Sequence, residues 1–296
     1  MATVEFGLML QQNYPDHSAD DLLAFDKRCI QALSSGFTTL WMEDHLQWET
    51  TVALECFTSL CYFAAEYPQF KVGSLVMCQS FRNPALLAKM AATLQLLSGG
   101  RFILGIGAGW KEDEYVSYGY PLPFPPPRAR EEQLEEHIQV LQAMWTSTPA
   151  TFEGQHYAVR NAYCVPQPSP AVPLLIGGGG EKRTLALVAR YADWWNFNSC
   201  PVEEYARKLA ILKQHCERIG RNPEEIKLSY LSTMSVSEDP TKVQHHPNKH
   251  FIAGNAEEVI REIEQFREIG VTHCMFRFLD VETVEHFVER VAPHFQ

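Results

Sequence analysis

Basic residues are scarce in this sequence: 25 Lys and Arg stand against 36 Asp and Glu over 296 residues, a formal net charge of −11. Binding a phosphate backbone draws on clustered cations that displace counterions, and no such cluster occurs, so nucleic acid is excluded as a partner. Uninterrupted apolar runs of about 18 residues are also missing, which argues against a membrane span. The opening MATVEFGLML has Glu5 where a secretory leader would have basic residues, so a cytoplasmic protein is expected. The eight cysteines contain no CxxC pair; scattered and mostly inside apolar patterns, they read as small buried residues in a reducing compartment. No metal site is legible: His245 and His246 are adjacent in a polar stretch with Pro247 and Asn248, which reads as a loop.

What is present is an alternation. With 46% hydrophobic residues the chain can build a sizeable core. Eight short apolar runs separate amphipathic segments: Val4 to Leu10, Thr39 to Glu43, Lys71 to Met77, Arg101 to Gly107, Pro173 to Gly177, Trp194 to Phe197, Ile226 to Val236 and His273 to Leu279. Strands alternating with helices imply a parallel sheet, and eight strands close a (β/α)8 TIM barrel, an α/β fold that fits this length as one domain over 1–296. Ser18 with Asp21 and Asn255 with Glu258 read as capping boxes, and Pro84 after Asn83 as a helix start. Gly36 and Gly270 are expected to end helices. Leu87, Met90, Ala91, Leu94 and Leu97 recur at helical spacing, as do Leu134, Ile138, Leu141 and Trp145. Residues 111–172, between strands four and five, are too long for a simple crossover and hold a helix and a small hairpin at Glu153 and Gly154. This insertion reads as a lid or substrate wall, and Trp110, Tyr118, Tyr120 and Phe124 as either its entrance or its packing.

In such barrels chemistry sits just after the strands. Three stretches follow that rule. LWMEDHLQW brings Glu43, Asp44, His45 and Trp48 to the rim, where a histidine beside carboxylates can exchange a proton near neutral pH. In GGRFILGIGAGWKEDEY the strand runs into Gly105, Gly107, Ala108, Gly109 and Trp110, so that the backbone can approach a flat cofactor. Its third glycine comes one position too early for a dinucleotide fingerprint. PLLIGGGGEKRT leads through Gly177, Gly178, Gly179 and Gly180 into a helix start, an anion site with Lys182 and Arg183 nearby, and it lacks the GK[ST] ending of a P-loop.

Taken together, GFTTLWMEDHL, the block from KVGSLVMCQSFRNPALLAK to GIGAGWKEDEY, the FEGQHY hairpin, PLLIGGGG and ADWWNF resemble the luciferase-like flavin and deazaflavin oxidoreductase family over nearly the whole length. The resemblance implies an isoalloxazine-type ring across the carboxyl end of the barrel, with its phosphate at Gly177 to Gly180. It also implies a bulge in strand three near Leu75 and Val76, often with a non-proline cis peptide. By similarity to the family's deazaflavin dehydrogenases, His45 would transfer the proton and Asp44 would lie next to the cofactor. Trp48 falls one residue closer to the histidine than the family tryptophan. Trp110 stands where those dehydrogenases place a glutamate, which leaves Glu114 as a displaced candidate.

The signatures resemble most the subgroup dependent on coenzyme F420. An F420-dependent oxidoreductase passing hydride to or from a small organic substrate is therefore the leading expectation, with Lys182, Arg183 and Arg82 available for the cofactor's polyglutamate tail. The alternatives are an FMN-dependent monooxygenase using reduced FMN and O2, and a non-catalytic flavin-binding barrel. The partners expected from the resemblance are a second copy of the chain in a homodimer and a flavin or F420 reductase.

Overall fold

The computed structural model describes residues 3–12, 18–34, 36–49 and 51–296. Its frame is eight strands: β1 (Glu5–Met9), β2 (Phe37–Met42), β3 (Lys71–Ser74), β4 (Phe102–Gly107), β5 (Leu174–Gly177), β6 (Trp194–Asn198), β7 (Lys227–Val236) and β8 (Val271–Phe278). Each pairs in parallel with the next and β8 pairs with β1, so the sheet closes into the expected TIM barrel. Every apolar run named above forms a strand. The third differs most. β3 stops at Ser74, the Leu75–Val76 peptide is cis, and pairing with β4 resumes at Met77 and Cys78. The bulge lies where the family resemblance implies it.

The barrel interior is filled by side chains, with Trp41 the largest. A Cβ on Gly7 or Gly73 would come within 2.5 or 2.3 Å of the Trp41 ring, so these two glycines leave the space the indole occupies. Met9, Ile103, Leu175, Trp194, Leu231 and Met275 pack around it. At the amino end of the strands, Glu5 and Lys227 form an ion pair beside Trp194, and His273 is fully buried above them. That end is sealed, which leaves the carboxyl end for a site.

Around the barrel run α1 (Ala19–Ala32), α2 (Cys56–Glu66), α3 (Pro84–Leu97), α4 (Glu112–Ser117), α5 (Pro127–Thr146), α6 (Thr184–Tyr191), α7 (Val202–Ile219), α8 (Ala256–Glu268) and α9 (Val281–Arg290). The Ser18–Asp21 and Asn255–Glu258 capping boxes both form, and Asn83 caps α3 ahead of Pro84. Gly270 follows α8 with φ 103°, a conformation that favours glycine. Gly36 does not end a helix. α1 stops at Ala32 with Leu33 as its cap, and the Gly36 carbonyl instead accepts the Phe6 amide at the entry to β2. Leu97 also departs from its stripe, being 77% exposed while Leu87, Ala91 and Leu94 are buried.

The insertion packs as part of the shell, and its first residues Lys111, Glu114 and Tyr115 line a cavity at the carboxyl end of the strands, so of the two expectations it forms a wall and not a lid. Leu134, Ile138 and Leu141 of α5 are fully buried where this helix packs on α3, and the Trp145 indole donates to the Ala88 carbonyl at 3.0 Å. The hairpin Ala150–Glu153 and Ala158–Ala162 turns where expected, with the Glu136 carboxylate accepting the amides of Gln155, His156 and Tyr157. Tyr120 stacks on Phe81 at 5.3 Å and Phe124 meets Tyr115 edge-on at 4.6 Å, so these aromatics pin the insertion to the barrel. Among the described residues, no helix is long and apolar enough to cross a membrane and no three metal-ligating side chains cluster. The eight cysteines are unpaired, with only Cys61 exposed.

Candidate functional site

Two adjoining cavities open at the carboxyl end of the strands. The first, about 340 Å³, is lined by the Leu75–Val76 bulge, Ala108, Gly109, Trp110, Glu114, Gly177 and Gly178, with Asp44 and His45 on its wall. The second, about 630 Å³, lies under the loop of residues 243–251 and is lined by Gln12, Trp48, Ser232, Lys249 and Arg277 among others. Glu43, His45, Trp110, Asn198 and Leu231 belong to both walls. His45 therefore faces two spaces at once.

The glycines of this region serve the bulge first. A Cβ on Gly105 would lie 2.0 Å from the Ser74 carbonyl oxygen, and one on Gly107 or Gly177 would lie 2.7 or 2.9 Å from Val76. The spacing that reads in sequence as room for a cofactor is thus room for Val76, which the bulge pushes into the first cavity. A flat ring would rest on Val76 rather than on the glycines. Gly109, with φ 78°, approaches Cys78, whose thiol burial pushes up to about 11 and keeps protonated.

His45 is held from one side. Its Nδ1 lies 3.3 Å from both oxygens of Glu114, while Glu114 Oε1 also accepts the Leu46 amide at 2.6 Å. Glu114 is 1% exposed, so its carboxylate is fixed. An ionised carboxylate only accepts, so the geometry assigns the ring proton to Nδ1 and leaves Nε2 without a hydrogen-bond partner among the described residues. The Trp48 and Trp110 rings flank the imidazole at 4.7 and 5.7 Å, and Lys111 Nζ lies 4.9 Å from the Trp48 ring centre. Glu114, displaced along the sequence, is brought back to the histidine by the short helix α4.

Asp44 lines the first cavity but is engaged elsewhere. Arg82 donates to both its oxygens at 2.8 and 2.9 Å, and the Cys78 amide donates at 2.9 Å. Burial opposes the Arg82 charge, yet the hydrogen bonds and charge of Asp44 outweigh it and hold the guanidinium above its usual range. Asp44 thereby ties β2 to the bulge. Arg82, bound to Asp44 and Glu55, is turned away from the mouth where a tail would lie.

The glycine turn also departs from expectation. Gly178 donates its amide to the Asn196 carbonyl at 3.0 Å, whereas the amides of Gly179 and Gly180 have no protein acceptor among the described residues and lead into α6. Lys182 and Arg183 do not line the cavity. They border a separate surface hollow with Glu131 and Glu135, and Arg183 pairs with Glu132 at 3.2 Å. The carboxylate beside the turn is Glu131, which accepts the Thr184 hydroxyl at 3.0 Å. Sequence reading missed Asn196, in the middle of β6, and also Asn198, Gln12 and Arg277, although these three stand at or just past a strand end, where the barrel rule points.

With the geometry fixed, comparison decides the family. The model of the luciferase-like monooxygenases matches residues 15–252. The chain belongs to that family. Among luciferase-like relatives, the F420-dependent glucose-6-phosphate dehydrogenase of Kineococcus radiotolerans is 30% identical over 219 residues, 72% of this chain and 64% of that protein. The pyrimidine monooxygenase RutA of Escherichia coli is 30% identical over 214 residues, 70% of this chain and 56% of that protein. The chain thus spans between half and two thirds of these relatives' lengths. A solved F420-dependent secondary alcohol dehydrogenase in complex with an F420-acetone adduct superposes with a TM-score of 0.85 at 21% identity, covering 100% of both chains. Its likeness is one of fold.

Proposed function

We propose that the protein is an F420-dependent oxidoreductase, with the deazaflavin in the first cavity and a small organic substrate in the second. The observation that carries this reading is His45 on the wall common to both, its Nδ1 held by buried Glu114 and its Nε2 without a hydrogen-bond partner among the described residues. The residues fit a flavin-type group: Val76 offers a convex apolar rest for a ring, and the Gly179 and Gly180 amides, without a protein acceptor among the described residues, follow the cavity-lining Gly178 in the turn ahead of α6 and suit a phosphate. When bound, such a cofactor supplies hydride transfer at its ring. His45 Nε2 takes or gives the accompanying proton at the substrate, and Glu114 stabilises the imidazolium and fixes the ring's orientation. The Trp48 and Trp110 rings flank the imidazole and limit its reorientation.

A second reading, an FMN-dependent monooxygenase, is favoured by one observation. Lys182, Arg183 and Arg82 all lie off the cavity, so these three are not placed to hold the tail of F420, while FMN has no tail to hold. The two are separated by titrating the purified protein with F420 and with FMN in low phosphate, following cofactor fluorescence. Tight F420 binding with weak FMN binding is expected. The reverse would make it a monooxygenase awaiting a reductase, and binding of neither would overturn both readings.

A further inference from the structure

The second cavity differs in chemistry from the first. Its wall carries two cations, Arg277 and Lys249, against one carboxylate, Glu43, in a protein whose formal charge is −11. Glu43 meets Arg277 through one terminal nitrogen at 2.7 Å, and the guanidinium has further N–H groups to offer. Lys249 makes no ion pair among the described residues. It is held over the mouth because its loop is tied at both ends: the Gln244 amide donates to Ser235 Oγ at 2.7 Å, and Ser232 Oγ donates to the His250 carbonyl at 3.0 Å.

Two residues of the wall also carry buried polar atoms without a hydrogen-bond partner among the described residues. Gln12 is 2% exposed, and its amide nitrogen donates to both the His45 and Leu54 carbonyls, at 2.7 and 2.9 Å. Those two acceptors fix the orientation of the amide, leaving Oε1 as a buried acceptor with no donor. The Trp48 Nε1 is a buried donor with no acceptor. Both atoms have almost no accessible surface, so they lie behind the wall, and the polar groups the cavity itself presents are the charged ends of Arg277 and Lys249.

Resting on the reading that substrate meets His45 from this side, we propose that the second cavity selects an organic anion, a carboxylate or a phosphate ester, held by Arg277 and Lys249. Its body lies toward His45, and the anionic group points away from the ring under the 243–251 loop. Glu43 is the internal competitor: it occupies part of Arg277 and moderates how tightly an anion is held. A fork-shaped guanidinium and a point-charge ammonium from two separate elements suit one compact anionic group.

The test uses benzoate, phenyl phosphate and the neutral benzamide, titrated into the full-length protein with and without FMN or F420. Quenching of tryptophan fluorescence reports binding, since Trp48 and Trp110 line the wall. At least one anion is expected to bind ten-fold or more tightly than benzamide, and the tighter of the two identifies carboxylate or phosphate as the preferred group. Arg277→Gln should weaken that binding ten-fold or more, Lys249→Gln by about three-fold, and Glu43→Gln should tighten it, a gain that a merely damaged fold would not give. Equal binding of benzamide and the anions, or an Arg277→Gln protein that binds as wild type does, would overturn the proposal. Cofactor binding without anion preference would remove this inference alone; anion preference without cofactor binding would remove the oxidoreductase reading alone.

Discussion

Two histidines in this barrel have nearly the same neighbours and opposite surroundings. At the carboxyl end His45 has Glu114, Trp48 and Trp110; at the amino end His273 has Glu5, Trp41 and Trp194. His273 accepts the Trp41 indole N–H at 3.1 Å on Nε2, is fully buried, and is pushed by burial down to about 4, so it is neutral and sealed in. His45 instead lines two cavities. A histidine, a carboxylate and two tryptophans therefore do not make a site by themselves. Access makes the difference, and the fold supplies it by filling one end of the barrel with Trp41 while a bulge and an insertion hold the other end open.

The largest effect expected from this contrast separates the two by kind. His45→Ala should lower turnover by about 10² to 10⁴ and cost less stability than the change at His273, because Glu114 keeps the Leu46 amide when the imidazole is gone. His273→Ala should do the reverse: it leaves a cavity and an unpaired Trp41 N–H, costing about 2 to 4 kcal/mol, with turnover per folded molecule kept. Urea titration and single-turnover rates on both variants check this, and a His273 variant that folds normally but is inactive would break the comparison.

A smaller effect appears in acid. His137 and His273 are both held by burial near 4 in the fold against 6.5 unfolded, so between those values the unfolded chain binds more protons. Their contribution is complete above about pH 6.5 and is lost as pH falls toward 4, at no more than about 1.4 kcal/mol per pH unit for each group. Below that, Glu5, held down to about 2 by His273 and Lys227 against the effect of burial, loses its contribution in turn. Neither ring nitrogen of His137 has a hydrogen bond of good geometry among the described residues, the Gln79 backbone being its nearest polar neighbour, so His137→Leu should stabilise the fold at pH 7 by about 1 to 2 kcal/mol, read from the urea midpoint, and by more at pH 5. A variant that is no less acid-sensitive than wild type would show that His137 is not part of the acid response.

The barrel was legible because strand and helix periods differ and eight runs alternate cleanly; the caps at Ser18, Asn83 and Asn255 were legible because their partners sit three residues away or fewer. His45 and the bulge at Leu75 and Val76 were legible through family resemblance rather than through pattern. What escaped depends on distant residues. Asp44 reads as a rim carboxylate until Arg82 is seen on it, Lys182 and Arg183 read as phosphate ligands until Glu132 draws Arg183 away, and Gly107 reads as a cofactor glycine until Val76 fills its space. Gln12 and Arg277, separated by most of the chain, share a cavity only because β8 closes beside β1. The insertion was ambiguous for a related reason: proline and aromatic content suits a lid and a packed wall alike, and only the buried face of α5 against α3 separates them.

The central claim is that His45 marks the junction between a cofactor seated on Val76 and a substrate beneath the 243–251 loop. A crystal structure with FMN or F420 bound tests it most directly. The account predicts the ring lying between Val76 and His45, with its phosphate on the Gly179 and Gly180 amides. A ring seated under the 243–251 loop, or a phosphate carried by Lys182 and Arg183, would contradict it.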